Sequence, residues 1–471
     1  MLPTPENYAI YPSVVLAATM TKMTIIAREK AFLPVEGAEY CLTIIGRDND
    51  ELSYKTPITH QVISAIAHNG VICFEHSFSG EQEYLVKLYR DETLLAELPI
   101  YSLSDDLYDR TPLKADFHSH SFRSDGKRDP AATAGHYREQ AYDCYALTDH
   151  NRFYPGGEVD ETYRGVDMEF FRINGEEVHT PGSIIHIVHV GGSTSVAELY
   201  VKDTDGFNNE TEEYKARVPK QVPAQYVDRY ALAMWATDKI HAAGGLAIFP
   251  HPFWKPGGSQ VNNVCSDFAK LLLKSGMFDA YELVGGMKQI GNNLSVALWN
   301  DLRAEGLNIP VVGSSDVHGY KKSAEFPHLY TICFAKERTA DAVLEAIKTG
   351  MTVAVEASGT EYDRHYRCYG SYRLVAYAQF LLNNFFRQME RICTGEGVAM
   401  RAYAIGEAEK ELIELQSKQS RAFRARFFGK EPPILPSAET LEFEERWREV
   451  QRNGPQTRGS AITTPPVNYQ I

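Results

Sequence analysis

Two histidines separated by a single residue, His118 and His120, stand in the segment with the clearest chemical pattern, KADFHSHSFRSDG. In an extended chain, alternate side chains point to the same side, so both imidazoles can reach one metal ion. Asp125 follows a few residues later and offers an anionic oxygen ligand. A pair of this kind is weak evidence by itself, because fifteen histidines in 471 residues also produce it by chance.

Six further residues with the same ligating chemistry lie at or near the ends of apolar segments farther along the chain. These are His150 in ALTDHN, Glu177 in GEEVH, His186 in IIHIVHV, His251 after LAIFP, and Asp316 and His318 in SSDVH. The carboxyl ends of parallel barrel strands face one rim, so ligands distant in sequence can meet there. Nine candidates exceed what one ion needs. Nitrogen and carboxylate oxygen without thiolate favour zinc, manganese or iron.

The elements that must position these residues are apolar strands that alternate with helical patterns. The predicted strands are 115–117, 144–147, 171–178, 184–190, 246–249, 281–284, 309–312, 330–334 and 352–355, and the predicted helices include 131–141, 224–243, 295–306 and 339–350. Regular alternation of strands and helices predicts a parallel sheet, and this many repeats predicts a closed or nearly closed barrel.

Three domains are predicted from these patterns. Residues 1–112 contain short β-rich runs with a hairpin signal at Asp91 and Glu92, which predicts a β-sandwich module. Residues 113–357 form the barrel, and residues 358–471 a helical C-terminal extension with a polar tail. A polar, acidic stretch at about 191–223 interrupts the barrel. It is either a lid or partner-binding loop or a disordered surface insertion.

The ordered motifs HSHSFRSDG, TDHN, GEEVH, IHIVHVGG, IFPHPFW and VGSSDVHG resemble those of the polymerase and histidinol phosphatase (PHP) superfamily of metal-dependent phosphoesterases. The resemblance covers about residues 113–355 and leaves out the β module and the C-terminal helices. It implies an α/β fold with a distorted TIM-like (β/α)7 barrel of PHP type. The sequence patterns described above predict the β-sandwich module before this barrel and the helical extension after it.

The family pattern, transferred residue by residue, also implies which residues would bind three divalent ions. It places His118, His120, Glu177 and Asp316 around one ion, has Glu177 bridge to a second ion held by His186 and His251, and has Asp125, His150 and His318 hold the third. Glu177, His251 and Asp316 are expected to carry the catalysis, with a metal-bridging hydroxide as the nucleophile.

Several neighbouring residues carry weaker predictions. His189 follows His186 by three positions and therefore points to the opposite face of a strand, so only one of the two, His186, is expected to be a ligand. His179 is interpreted as a supporting residue beside the ligands rather than as a general acid. Three cations are candidates for contacting a substrate phosphate, although each alone is more simply a solvated surface charge: Arg152, Lys255 and Lys321.

The predicted function is metal-dependent hydrolysis of a small phosphomonoester or phosphodiester of the nucleotide or sugar phosphate class. Two alternatives remain open at this point. One is a metal-stabilised binding or regulatory module without turnover, against which the large ligand set argues, since structural metal sites are normally closed by four ligands. The other is a hydrolase acting on a carbonyl bond, because an activated hydroxide can also attack carbon.

The composition limits which binding partners and which cellular compartment we expect for this protein. A formal net charge of −14 disfavours extended binding to nucleic acid, so the expected partner is a small phosphorylated substrate. The seven widely spaced cysteines include no Cys-x-x-Cys pair, which indicates a reducing, cytoplasmic location. We expect neither a signal peptide nor a membrane segment. The sequence leaves open whether copies of the chain form a homo-oligomer.

Overall fold

The computed structural model describes residues 7–48, 60–319, 326–359 and 363–453, and the chain divides into two units. The first unit is formed within residues 1–78, 84–100 and 428–471, and the second within residues 79–83 and 101–427. The predicted C-terminal extension, 358–471, is therefore divided between the two units. Among the described helices, none combines the length and the apolar character needed to cross a bilayer.

The first unit contains one eight-stranded sheet with the order β1-β3-β6-β5-β4-β7-β8-β2. Its strands are β1 (Tyr8–Tyr11), β2 (Val14–Leu16), β3 (Met20–Ala27), β4 (Glu39–Gly46), β5 (Gln61–His68), β6 (Val71–Ser77), β7 (Gln82–Arg90) and β8 (Thr93–Leu103). Side chains of β3, β4, β7 and β8 share one buried cluster, so the sheet folds around its own core. The predicted hairpin is present between β7 and β8, where Asp91 has a φ of 52°.

The second unit carries eleven strands in the residues that the structure describes, arranged in two sheets. They are β9 (Thr111–Asp116), β10 (Cys144–Ala146), β11 (Phe171–Ile173), β12 (Gly175–His179), β13 (His186–Gly191), β14 (Gly245–Phe249), β15 (Ala280–Val284), β16 (Val311–Gly313), β17 (Leu329–Ala335), β18 (Thr352–Gly359) and β19 (Arg364–Tyr369). One sheet has the order β11-β10-β9-β17-β18-β19 and the other β12-β13-β14-β15-β16.

Strand directions in this α/β unit are mixed, which corrects the expectation of a uniformly parallel sheet. β9, β10 and β11 are parallel, as are β14, β15 and β16. β12 and β13 are antiparallel because a short connection, rather than a crossover helix, joins them. β17, β18 and β19 are antiparallel as well.

Backbone contacts connect the two sheets where their strands end. Ser119 forms a parallel bridge with Val317, and His150 forms one with Glu177. The Asp316 amide also donates to the His118 carbonyl oxygen at 2.8 Å. The segments that follow β9, β10 and β16 are thereby held against one another and against β12.

Helices cover the strands of the second unit. They are α1 (Asp105–Tyr108), α2 (Pro130–Glu139), α3 (Pro155–Thr162), α4 (Ala197–Lys202), α5 (Thr204–Arg217), α6 (Val227–Ala242), α7 (Ser266–Lys274), α8 (Gln289–Ala304), α9 (Ala340–Lys348), α10 (Tyr372–Leu381), α11 (Arg387–Ala404) and α12 (Lys410–Phe427), while α13 (Ala438–Asn453) belongs to the first unit. The four helices predicted within the barrel are present as α2, α6, α8 and α9. Asp129 caps α2 by accepting a hydrogen bond from the Ala132 amide at 2.8 Å.

The stretch at 191–223 is folded, so its interpretation as a disordered insertion is wrong. It contains α4 and α5, and Tyr200 and Phe207 are buried in the same cluster as Trp235 of α6. The rings of Phe207 and Trp235 lie 4.8 Å apart in an edge-to-face arrangement. Trp235 also donates its Nε1–H to Glu210 at 2.6 Å. Large aromatic residues within the acidic stretch are what anchor it.

The predicted helical C-terminal extension contains several helices. A π-helical segment, 382–386, joins α10 to α11, and Leu374, Ala378 and Phe385 are buried. Val398 still belongs to α11. The break comes later, near Gly406, whose φ of 77° ends the helix.

Candidate metal centre

The nine ligand candidates, separated by up to two hundred positions in the sequence, lie around one cavity of about 540 Å³. His118, His120 and Asp125 follow β9, His150 follows β10, Glu177 lies in β12, His186 begins β13, His251 follows β14, and Asp316 and His318 follow β16. Seven of the nine line the cavity directly. The other two, His118 and His120, are almost fully buried and contact the lining residues.

One group of potential ligands surrounds Asp125. His318 Nε2 is 3.2 Å and His150 Nε2 is 3.4 Å from the carboxylate oxygens of Asp125. His120 Nδ1 is 3.9 Å from the same carboxylate, and the rings of His120 and His318 are stacked at 4.1 Å. Ligand atoms of these four residues all lie within 4.8 Å of one another, as the ligands of a single ion would.

A second set of contacts is centred on His118. Its Nε2 atom is 3.3 Å from Asp316 Oδ1 and 3.4 Å from Glu177 Oε2. His120 Nε2 reaches the same two carboxylates at 2.9 and 3.6 Å. The two histidines of the opening motif therefore face Asp316 and Glu177 together. His251 joins His118 and Asp316 in a compact group of three.

Glu177 lies between the groups. Its Oε1 atom is 2.9 Å from His186 Nδ1 and 3.2 Å from His251 Nε2. Its Oε2 atom faces His118, and is also 2.7 Å from His150 Nδ1. A carboxylate with one oxygen directed to each side is suited to bridging two cations.

Buried carboxylates fix the orientation of the ligands. His118 Nδ1 is 2.9 Å from Glu282 Oε2, which turns Nε2 toward the cavity. Asp116 accepts hydrogen bonds from the His118 amide at 3.1 Å and the Ser315 amide at 3.0 Å, and so holds two ligand-bearing loops together. Neither Glu282 nor Asp116 was predicted from the sequence. The signal for Glu282 is a single carboxylate inside the otherwise apolar strand AYELV, whereas Asp116 ends the strand PLKAD, which also contains Lys114.

The charges in the cavity shift one another's pKa values. Burial favours the neutral form of His118, but the negative charges of Asp316 and Glu177 outweigh it and raise the pKa of His118 well above its usual value. Burial likewise favours the protonated form of Glu177, yet the charge of His118 keeps the pKa of Glu177 well below its usual value. Glu177 therefore stays ionised and attracts cations.

Unsatisfied polar atoms show that the donor set fits bound cations. His118 Nε2, His120 Nδ1, His150 Nδ1 and Glu177 Oε2 are buried without a hydrogen-bond partner, because even the 2.7 Å contact between the last two atoms lacks the geometry of a hydrogen bond. Leaving such an atom unpaired costs about 1–3 kcal/mol, and a metal ion would satisfy it. The backbone is also constrained here, since Asp316 has a φ of 50°. Strained, unpaired groups of this kind are typical of functional sites.

Two side chains that the sequence analysis did not treat as ligands also line the cavity, Trp254 and His179. Trp254 lies with its ring 5.8 Å from the rings of His186 and His251. Glu177 and His179 are two positions apart in β12, and this period of two is the signal that places both on one face of the strand. His189 lies on the other side, where its Nδ1 is 3.4 Å from Glu176 Oε1.

Of the three candidate phosphate-binding cations, the two that the structure describes do not line the cavity. Arg152 and Lys255 are exposed, and neither is among the residues that line the cavity. Lys321 lies outside the described residues. The contacts around the cavity thus come from imidazoles, carboxylates and one indole, rather than from a described arginine or lysine.

Comparison with known proteins gives structural neighbours only. No family model and no curated protein matches the chain. A two-domain protein from Bacteroides vulgatus containing a predicted PHP-like metal-dependent phosphoesterase is similar at 20% identity, with a TM-score of 0.36, over 52% of this chain. This chain spans 65% of the length of that protein.

Two further solved structures are similar over about half of the chain. One is a protein from Bifidobacterium adolescentis assigned as a metal-dependent phosphoesterase, with 14% identity and a TM-score of 0.33, over 50% of this chain and 96% of that one. The other is an amidohydrolase from Chromobacterium violaceum, whose structure contains bound sulfate and no metal. It has 18% identity and a TM-score of 0.29, and the match covers 44% of this chain and 87% of that one.

Proposed function

We propose that this chain is a metal-dependent hydrolase of the PHP superfamily that cleaves a small phosphomonoester or phosphodiester. The observation that carries the proposal is the meeting of nine imidazole and carboxylate side chains, from six separate segments, around one cavity. Structural metal sites are closed by four ligands, whereas this donor set is larger and opens into a cavity of about 540 Å³. Such a cavity has the size of a small-molecule site.

The same proposal includes a PHP-type barrel for the fold. Seven strands are linked one to the next, in the order β9, β10, β12, β13, β14, β15 and β16. Strand pairing makes each link except that between β10 and β12, which is the bridge between His150 and Glu177. The bridge between Ser119 and Val317 links β16 back to β9 and closes the ring. A distorted seven-stranded barrel accounts for these links. β17, β18 and β19 would then extend the sheet beside it.

The residues would hold three divalent cations. We assign Asp125, His150 and His318 to the first cation. We assign His118, His120 and Asp316 to the second cation, and His186 and His251 to the third. Glu177 would be the carboxylate shared between cations. Manganese, zinc and iron suit this set of nitrogen and oxygen donors. When bound, such cations supply Lewis acidity, activate water at neutral pH and give the cavity a positive field that attracts phosphate.

The side chains themselves would position the reaction. Water adds to phosphorus, the ester P–O bond breaks, and the alcohol leaves with one proton from the water. Glu177, His251 and Asp316 line the cavity where the substrate phosphate would sit, and Glu177 and His251 are almost fully buried. Trp254 provides an apolar wall for the remainder of the substrate. A nucleotide or a sugar phosphate fits this chemistry.

The test is metal analysis of the purified full-length chain, followed by a substrate panel with added manganese. The panel contains p-nitrophenyl phosphate, bis(p-nitrophenyl) phosphate, nucleotides, sugar phosphates and p-nitrophenyl acetate. We expect hydrolysis of phosphate esters that stops when a chelator is added. Cleavage of the acetate alone would make the protein a carbonyl hydrolase. Metal binding without turnover of any substrate would instead favour a binding module.

A further inference from the structure

The structure brings one more potential metal ligand to the cavity than the nine candidates found in the sequence. Ligand atoms that lie close enough to share an ion form five groups among the described residues. Together these groups contain ten different residues, and nine of them are the predicted ligands. The tenth is His179, which forms a group with His150 and Glu177.

The backbone of His179 is fixed on both sides. Its amide donates a hydrogen bond of 2.7 Å to Asn151 Oδ1, and its carbonyl oxygen accepts one of 3.1 Å from the Tyr200 hydroxyl. Tyr200 lies in α4, within the helical stretch that follows β13. The end of β12 is therefore anchored, and the imidazole is directed to the same side of the strand as Glu177.

The side chain of His179 presents an unpaired nitrogen to the cavity. Nε2 is buried, has no hydrogen-bond partner and lies 3.5 Å from Glu177 Oε2. The imidazole stacks on His186 with 3.7 Å between ring centroids and lies 4.4 Å from the ring of His150. A residue with a purely packing role would have no need of an unpaired donor atom beside a buried carboxylate.

His150 explains why an additional nitrogen is useful. Its Nε2 atom faces Asp125 and its Nδ1 atom faces Glu177, so this one imidazole belongs to two groups. If His150 serves the cation at Asp125 through Nε2, the Glu177 side needs another nitrogen donor. His179 is the histidine of the cavity that lies on that side and is not already assigned.

We infer that His179 is a tenth ligand of the metal centre, acting with Glu177 on the side of the cavity opposite Asp125. The inference rests on the proposed function, because it presumes that the cavity binds divalent cations. A tenth ligand would distinguish this metal centre from one built from the nine motif residues alone. It also gives Tyr200 and Asn151 a role, since their hydrogen bonds hold the ligand in place.

Two substitutions separate ligation from packing. His179→Phe keeps an aromatic ring that can stack on His186 but removes the nitrogen, and His179→Ala removes both. Manganese and zinc binding to the full-length chain would be measured by isothermal titration calorimetry, and bound ions counted after dialysis by mass spectrometry. We expect both variants to bind one ion at least about 10-fold more weakly than the unaltered chain, since loss even of supporting partners costs about 10–100-fold.

His136→Phe is the matched control, because His136 is also a partly exposed histidine near a carboxylate, 3.6 Å from Glu139 Oε2, but lies outside the cavity. It should leave the ion count and affinities unchanged. Thermal unfolding with a chelator present checks that all variants fold. If His179→Phe binds like the unaltered chain, His179 acts by packing and the inference is wrong. If the unaltered chain itself binds no divalent cation, the proposed function fails with it.

Discussion

Glu282 Oε2 lies 2.9 Å from His118 Nδ1, and both side chains are completely buried at the base of the cavity. The contact selects the tautomer of His118 that leaves Nε2 available toward Glu177 and Asp316. A carboxylate in this position also makes the imidazole a stronger donor to a cation. Glu282 would thus influence a bound cation through His118, without itself lining the cavity.

Replacing this carboxylate by its amide should weaken metal binding. Glu282→Gln retains the size of the side chain but removes the negative charge opposite His118. We expect a loss of about 10–100-fold in metal affinity and a comparable loss of activity at limiting metal. Calorimetric titration with manganese measures the metal affinity, and the rate of phosphate release measures the activity. Glu213→Gln, on the exposed face of α5, is the control; equal losses in both variants would contradict the assigned role.

Glu177→Gln should have a larger effect, because Glu177 contacts ligands of more than one group. Its two oxygens face His186 and His251 on one side and His118 and His150 on the other. We expect turnover of the phosphate ester to fall more than about 100-fold, beyond the loss caused by a supporting residue, with the far-UV circular dichroism spectrum unchanged. Unchanged turnover would rule out the proposed mechanism. Glu198→Gln, an exposed glutamate of α4, serves as the comparison.

The candidate ligands could be found in the sequence because most of them stand at or beside an apolar strand and all are residue types that metals select. His118, His120 and Asp316 belong to two short patterns, His-x-His and Asp-x-His, whose spacing is local. Their meeting in space was expected from the alternation of strands and helices, which places strand ends at one rim, although β12 and β13 proved to be antiparallel. This part of the prediction did not require any knowledge of side-chain packing.

The features of the site and fold that could not be predicted from the sequence depend on contacts between distant segments. Glu282 and Asp116 lie within strands, and only their partners show what they do. The antiparallel direction of β13 follows from a short connection that hydropathy does not distinguish from a crossover. His179 was predicted as a supporting residue, and only the structure shows that its Nε2 is buried and unpaired beside Glu177.

The acidic composition of 191–223 concealed its anchoring residues, and this leads to a stability prediction. Phe207 is buried against Trp235, so Phe207→Ala should lower the free energy of unfolding by about 3–5 kcal/mol. Val201 in the adjacent helix is 71% exposed, so Val201→Ala should change it by no more than about 0.5 kcal/mol. Chemical denaturation measures both. A loosely attached segment would instead tolerate the two substitutions equally.

Removing divalent cations should destabilise the second unit as well as stop hydrolysis. The buried atoms His118 Nε2 and Glu177 Oε2 have no hydrogen-bond partner, so a bound ion would stabilise the folded state selectively. At a free concentration of 100 times Kd, one such site contributes about 2.7 kcal/mol to the free energy of unfolding. Thermal unfolding followed during a manganese titration should therefore show a rising midpoint, and Glu177→Gln should reduce that rise. A midpoint that does not respond to manganese, zinc or iron would show that these residues do not hold cations in the folded chain.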